Sequence, residues 1–357
     1  MLRSYRHVTS VCCATALVAL GFSLAAAAPT SITACGTFGA GSYIVANNIA
    51  SAGISCLVFS SGPVTLDLNG FTISSSSGIQ NGVLAAAGID SVTVRNGTIT
   101  GFTRGVALGG KGAVVDGVKV LHAVAGSLSG ILVGPGGTVE NCLVSGHAGG
   151  GIQAGSGATV VHNTLTGNTG NGIVVSDGST VRNNNVTLST GLSTAIQVTQ
   201  NSKVVSNVIA NSTFGVSAGA ANVISGNTVS GCFDGIGAGN NTTITGNNSS
   251  NNSDRGIGAG TGCLISNNNA SNNGSNGIAA SGTGTQLLNN VANNNGHSGI
   301  GVNGSGGSVI GNVADNNSNR GLDIDCPGKA DNNTFLGNTS SINTFGAGCL
   351  LTNNLAP

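Results

Sequence analysis

Between Gly130 and Gly321 one short phrase of sequence recurs at a nearly constant period. It opens at Gly130-Ile131, Gly151-Ile152 and Gly172-Ile173, varies to Ala195-Ile196, and resumes at Gly215-Val216, Gly235-Ile236, Gly256-Ile257, Gly277-Ile278, Gly299-Ile300 and Gly321-Leu322. The spacings are 21, 21, 23, 20, 20, 21, 21, 22 and 22 residues, and Gly105-Val106 extends the series one step upstream. Each copy then carries an apolar residue followed three positions later by Asn. The pairs run from Val160 and Asn163 through Val181 and Asn184, Val204 and Asn207, Ile224 and Asn227, and Ile244 and Asn247. They continue with Ile265 and Asn268, Leu287 and Asn290, Val309 and Asn312, Ala330 and Asn333, and Leu351 and Asn354. A repeat of this length means that each copy is one structural unit stacked on the next.

The pattern inside a copy selects the architecture. Segments such as Gly-Ile-x-Val alternate over three to six residues, which is the period of short strands, and no copy offers the ten or more residues that a helix needs. Leu is not the dominant inward residue, which excludes a leucine-rich repeat. Short strands with Gly, Asn and Ser at the corners describe one coil of a parallel β-solenoid. Coils that hydrogen-bond at about 4.8 Å stack residues one period apart into columns, so the Asn column becomes a ladder of side-chain amides. Asn also tolerates the left-handed backbone that a sharp corner requires, and the ladder Asn is expected to turn it. Upstream the same column reads Gly97, Val118 and Cys142, so the ladder starts at Asn163.

Composition bears on this at one point. With 61 Gly in 357 residues and only 6% charged residues, the chain would read as low complexity, yet its 39% apolar residues fall on the period. The expectation is one elongated all-β domain, a right-handed parallel β-helix of about 11–13 coils with a period of 20–25 residues, on the order of 50–60 Å long.

Residues 1–27 read as a secretory signal peptide. Arg3 and Arg6 precede the apolar stretch Val8 to Leu24, and Ala25-Ala26-Ala27 offers a small-residue cleavage site. The rivals are a membrane anchor, whose apolar run would be marginal in length, and a lipid anchor at Ile32-Thr33-Ala34-Cys35, which Pro29 to Ser31 set apart from the apolar core. The reading is therefore a secreted or periplasmic protein with no transmembrane segment after cleavage. Export permits disulfides. Cys35 and Cys56 flank a segment before the regular coils and can staple an N-terminal cap, residues 28–73, ahead of the solenoid, residues 74–357. Cys326 and Cys349 fall on adjacent coils, close enough to pair. Cys142, Cys232 and Cys263 lie on separated coils and read as buried thiols. No Cys/His spacing suggests zinc.

The run Cys35-Gly36-Thr37, then Cys56, then Val64-Thr65-Leu66-Asp67-Leu68-Asn69-Gly70-Phe71-Thr72-Ile73 resembles the N-terminal region of secreted right-handed parallel β-helix repeat proteins. Val92 to Phe102 is similar to a second signature run of that family, and the likeness continues through the Asn-ended coils. It departs at Phe71, where His is more usual. The resemblance implies a pectate-lyase-like superfamily fold and an association with carbohydrates. It implies no single reaction, because fold does not give function.

Chemistry on a solenoid is sought in columns of ionisable residues. The position after the inward apolar residue reads Asp67, Arg95, Asp116, Glu140, Val161 and Arg182 on successive coils, with His162 beside Val161, Lys119 past the Asp116 corner, and His122 and His147 near the next turn. Hydrolysis of a glycosidic bond needs two carboxylates a few ångströms apart, and elimination from a uronic acid needs a base with a cation on the sugar carboxylate. Asp116, Glu140, His162 and Arg182 are the candidate catalytic set. The same column also reads as alternating charge stacked for stability.

The outward positions of the Gly-Ile-x-Val strand are different. They run Ala107, Leu132, Gln153, Val174, Gln197, Ser217, Gly237, Gly258, Ala279 and Gly301, then Asp323, a flat and nearly uncharged face without aromatic rings. Asp323 and Asp325, with Asp331 in the same coil, are candidate calcium ligands, or charges that blunt an exposed sheet edge. Asp234 and Arg255 precede opening glycines on adjacent coils and read as an exposed ion pair, and His297 as a solvated corner residue.

Several signatures are absent: the Asn-Thr-Asp, Asp-Asp, Gly-His-Gly and Arg-Ile-Lys set of polygalacturonases, the Asp-Pro-His motif of alginate epimerases, RTX nonapeptides, and any P-loop or dinucleotide fingerprint. Beyond residue 27 the chain has 9 basic and 11 acidic residues with no basic face, which argues against nucleic acid. No regular Thr-x-Thr columns of an ice-binding face are present. The expectation is a monomer in contact with a polysaccharide or the cell surface, without strong catalytic activity and with no cofactor beyond a possible calcium ion. The rivals are a polysaccharide lyase, glycoside hydrolase or epimerase with its site near Asp116 and Glu140, and a structural spacer.

Overall fold

Three short strands per period, each with one or two inward apolar residues, can bury those residues only by winding the backbone round a common axis. The computed structural model winds it that way. It describes residues 28–76, 78, 80–121, 128–187 and 193–356. Residues 1–27, read from sequence as a signal peptide, and residues 122–127, with His122, lie outside the described residues. One coil illustrates the rest. Strands Ile173–Val175, Thr180–Arg182 and Asn185–Thr187 are separated by two sharp corners, and each pairs in parallel with its counterpart on the neighbouring coils. Ile152, Ile173 and Ile196 stand in one register, Val160, Val181 and Val204 in a second, and Leu165, Val186 and Ile209 in a third.

The first set forms a sheet of 15 strands, which gives about 14 turns. The second and third sets merge into one larger sheet because Val92–Thr100 and Val114–Leu121 run straight through the corner between them. Coils begin before the Asn repeat does: Gly36–Phe38 and Leu57–Phe59 already pair in the 15-stranded sheet. The inward residues Ile173, Val181 and Val186 are fully buried, each contributing about 1.5–3 kcal/mol of hydrophobic free energy before the entropy of ordering is subtracted.

The corners hold the polar part of the core. Asn184 donates from Nδ2 to Asn207 Oδ1 at 3.0 Å, and the same contact links Asn163 to Asn184, Asn207 to Asn227, and onward to Asn333 and Asn354. Each rung also satisfies backbone: Asn247 Nδ2 reaches Ile224 O at 2.9 Å, and its Oδ1 accepts from the Asn227 N–H at 2.9 Å. A second ladder, Asn252, Asn273, Asn295, Asn317 and Asn338, runs along the next corner. The third corner carries Ser179, Ser202, Asn222, Thr242 and Thr285. Among the described residues the three free cysteines take one place on each corner stack. Cys142 heads the first, its N–H donating to Asn163 Oδ1, and the Cys232 N–H donates to Asn252 Oδ1 in the second. Cys263 lies in the third, its thiol toward Gly239 O.

The left-handed corner position corrects one expectation. None of the ladder Asn has a positive φ; the residue before each does, as at His162 (φ 56°), Asn183 (φ 55°), Asn267 (φ 56°) and Asn332 (φ 55°). The ladder Asn must point its amide along the inner column, so the reversal falls one residue earlier, where Asn, His or Gly tolerates it.

Disulfides join adjacent coils at both ends, Cys35 to Cys56 and Cys326 to Cys349, with Cα separations of 4.4 and 4.9 Å. Among the described residues no helix is long and apolar enough to cross a membrane.

Candidate functional site

The charged column of the early coils is in register. Asp67 pairs with Arg95, Arg95 with Asp116, Asp116 with Glu140, Glu140 with Val161, and Val161 with Arg182. Asp67 and Arg95 close an ion pair at 3.0 Å. Asp116 accepts from Asn141 Nδ2 at 2.9 Å. Asp116 and Glu140 are therefore neighbours, about 4.8 Å apart along the axis, and both are half-buried. Arg182 is not their neighbour, because buried Val161 intervenes and puts it two coils from Glu140. Among the described residues neither Asp116 nor Glu140 is in an ion pair. His162 turns the corner, its Nε2 3.1 Å from Asn183 Nδ2. His147 is buried at the inner corner, where its N–H donates to Asn168 Oδ1. The column thus joins the two carboxylates and separates them from Arg182.

Asp323 and Asp325 alternate along the strand Arg320–Asp325. Asp323 is almost fully buried and accepts from Arg320 Nη1 at 2.9 Å, Ser298 Oγ at 2.7 Å and Asn343 Nδ2 at 3.2 Å. Asp331 belongs to a different sheet, where it pairs with Lys329 at 3.2 Å. Among the described residues no group of three His, Cys, Asp or Glu side chains is placed to hold a metal ion.

A second surface forms on the outer face of the 15-stranded sheet. A groove of about 450 Å³ lies over Gly237, Gly258 and Ala279, with Gly301 next in register, and is edged by Asp234, Arg255, Asn276 and Asn303. Arg255 grips Asp234 with two nitrogens, Nη2 to Oδ2 at 2.7 Å and Nε to Oδ1 at 3.1 Å. That carboxylate is the main reason the Arg255 pKa is raised further, while burial works against it. The grip lays the third guanidinium nitrogen over the groove floor: a methyl group added at Gly258 would lie 3.7 Å from Nη1. Along the same edge His297 bonds Asn276 Oδ1 from Nδ1 at 2.8 Å and accepts from Asn319 Nδ2 at Nε2 at 2.9 Å. His297 is therefore tied into the rim by both ring nitrogens.

The glycines of these strands divide into two kinds. At Gly235 and Gly256, which are buried, an added methyl would meet Ser249 Oγ at 2.0 Å and Asn273 Nδ2 at 2.6 Å, so packing inside the coil requires glycine. At Gly237, Gly258 and Gly301 the nearest atom is 3.7 Å away, and none of these residues has a positive φ. Nothing in the fold requires glycine there, although glycine is unfavourable within a strand. The rims also supply aromatic rings. Phe214, 42% exposed, is in register with Asp234, next to exposed Phe233, and Phe345, 49% exposed, is in register with Asp325. The outward column itself carries no ring, since Asp323 is followed in register by Asn343. Sequence columns read one at a time miss this site, because floor and rim come from different columns. The discoverable signal is the run of Gly and Ala in the outward column beside Asp234 and Arg255.

Comparison with known proteins agrees with the winding. The profile of the family described as "Right handed beta helix region" matches residues 32–192 and 194–340. No curated protein matches the chain. Among solved structures, the A-module of the mannuronan C-5 epimerase AlgE6 of Azotobacter vinelandii is 15% identical. It covers 92% of this chain and 91% of its own, with a TM-score of 0.53. The catalytic unit of the GH87 alpha-1,3-glucanase of Streptomyces thermodiastaticus strain HF3-3 is 14% identical. It covers 82% of this chain and 62% of its own, with a TM-score of 0.50. At such identities the likeness shows the fold alone.

Proposed function

The chain belongs to the right-handed β-helix family, and from that premise we propose that it binds a polysaccharide or cell-surface glycan outside the cytoplasm without turning it over. The contact surface is the groove over Gly237, Gly258 and Ala279. One observation carries the reading: two floor positions, Gly237 and Gly258, hold glycine although a side chain would fit. Glycine at a strand position that packing does not require leaves room for another backbone or a ligand to lie close to the sheet. The polar edge of Arg255, Asn276 and Asn303 offers hydrogen bonds to hydroxyls, and the rings of Phe214 and Phe233 offer apolar faces at one end. The similar folds bear on this as well, since one is named for mannuronan and the other for an alpha-1,3-glucan.

The test is a polysaccharide-array screen that follows retention and turnover together, with and without calcium, on the native protein and on Gly258→Val. Retention without turnover that disappears in Gly258→Val supports the reading. Product release lost in Asp116→Ala and Glu140→Ala would replace it with an enzyme on the early coils, the reading that the adjacency of those carboxylates favours. Neither retention nor turnover would leave a structural spacer.

A further inference from the structure

The charges around this groove limit what can lie in it, and the limit rests on the glycan-binding reading above. A polyuronate brings one carboxylate per sugar, so a groove that holds it needs cations whose charge no fixed carboxylate already matches. Between Asp234 and Asp325 the chain carries five aspartates, Asp234, Asp254, Asp315, Asp323 and Asp325, and only two arginines, Arg255 and Arg320. Both arginines are engaged. Arg255 gives two nitrogens to Asp234 and has Asp254 Oδ2 at 3.9 Å, and Arg320 pairs with Asp323 at 2.9 Å. His297 adds no open donor, because Nδ1 bonds Asn276 and Nε2 accepts from Asn319. The early coils differ: from Arg95 to Lys203 six basic residues face three acidic ones.

We infer that the groove is built for a neutral, hydroxyl-rich glycan and discriminates against polyuronates and other polyanions. The local field is negative, and each of the two arginines already has an aspartate as its counter-charge. Hydroxyls need only the neutral donors and acceptors that the rim presents, such as Asn276, Asn303 and Ser281. Arg255 Nη1, over Gly258, can donate to a hydroxyl while the charge of the guanidinium stays matched by Asp234.

The experiment titrates the full protein with length-matched oligosaccharides of alpha-1,3-glucan, cellulose, polymannuronate and polygalacturonate, at low and high salt. Neutral oligomers are expected to bind about tenfold more tightly than uronates, with little salt dependence. Any residual uronate binding should strengthen as salt screens the aspartates. The variant Asp254→Lys/Asp325→Lys should raise uronate binding and leave neutral binding unchanged. Uronate preferred at low salt, and lost in Gly258→Val, would overturn the neutral-glycan inference while keeping the groove as the site. Uronate binding untouched by Gly258→Val, with neutral oligomers inert, would move the site off this groove and overturn the inference. Binding of none of the four would overturn the glycan-binding reading itself.

Discussion

Asn247 donates from Nδ2 to Asn268 Oδ1 at 2.9 Å across the gap between two coils. The same amide bonds Ile224 O and Thr245 O, and its oxygen accepts both the Asn227 N–H and Asn227 Nδ2. One buried side chain thus satisfies three coils.

Replacing it strands several partners at once. Asn247→Ala should destabilise the protein by about 3 kcal/mol, since each buried donor or acceptor left without a partner costs about 1–3 kcal/mol. Asn354→Ala, at the half-buried end of the same ladder, should cost less than about 1 kcal/mol because water replaces the amide. Urea unfolding of the two variants measures the difference. Equal losses would mean that the ladder contributes through composition and not through buried satisfaction.

Glycines two residues apart should respond oppositely. Gly256→Ala drives a methyl to 2.6 Å from Asn273 Nδ2 and 2.7 Å from Gly277 O, and should lower stability by at least about 2 kcal/mol. Gly258→Ala meets nothing nearer than 3.7 Å and should be neutral or stabilising by about 0.5 kcal/mol through reduced unfolded-state entropy. Thermal midpoints decide it, and a destabilised Gly258→Ala would return that glycine to the fold and remove the main support for the groove.

The thiols on the corner stacks should be inert. Burial, the largest cause, pushes Cys142 up from 9.0 to about 12, and burial likewise raises Cys232 and Cys263. Iodoacetamide at pH 8 should leave all three unmodified in the folded protein and label them in urea.

The same shift predicts a pH dependence. The folded state favours the protonated Cys142 thiol, so its contribution is complete below about pH 9 and is lost as pH rises toward about 12. Stability should therefore fall over that window, and less steeply in Cys142→Ala. An identical slope in that variant would show that the thiol titrates freely.

Like charges one coil apart repel. Glu140→Gln should be neutral or stabilising by a few tenths of a kcal/mol, because Asp116 is its in-register neighbour. A clear loss of stability would point to a favourable partner for Glu140.

The period by itself determined the winding. Ile, Val and Leu recurring every 20–23 residues with Asn three positions after the inward apolar residue can be buried only by a parallel solenoid, and the first Asn ladder follows because equal spacing in sequence becomes stacking in space. The second ladder was equally legible, since Asn252, Asn273 and Asn295 each stand five residues beyond a ladder Asn. So was the register of Asp116 on Glu140. Tertiary structure decided what lies across columns. That Val161 parts Glu140 from Arg182, that Arg255 wraps Asp234 over a floor of Gly237 and Gly258, and that the left-handed residue precedes the ladder Asn all depend on side-chain direction and corner geometry. A repeat sets the distance between like positions along the axis. It does not set which unlike positions face each other around it, because that angle is fixed only when the corners close.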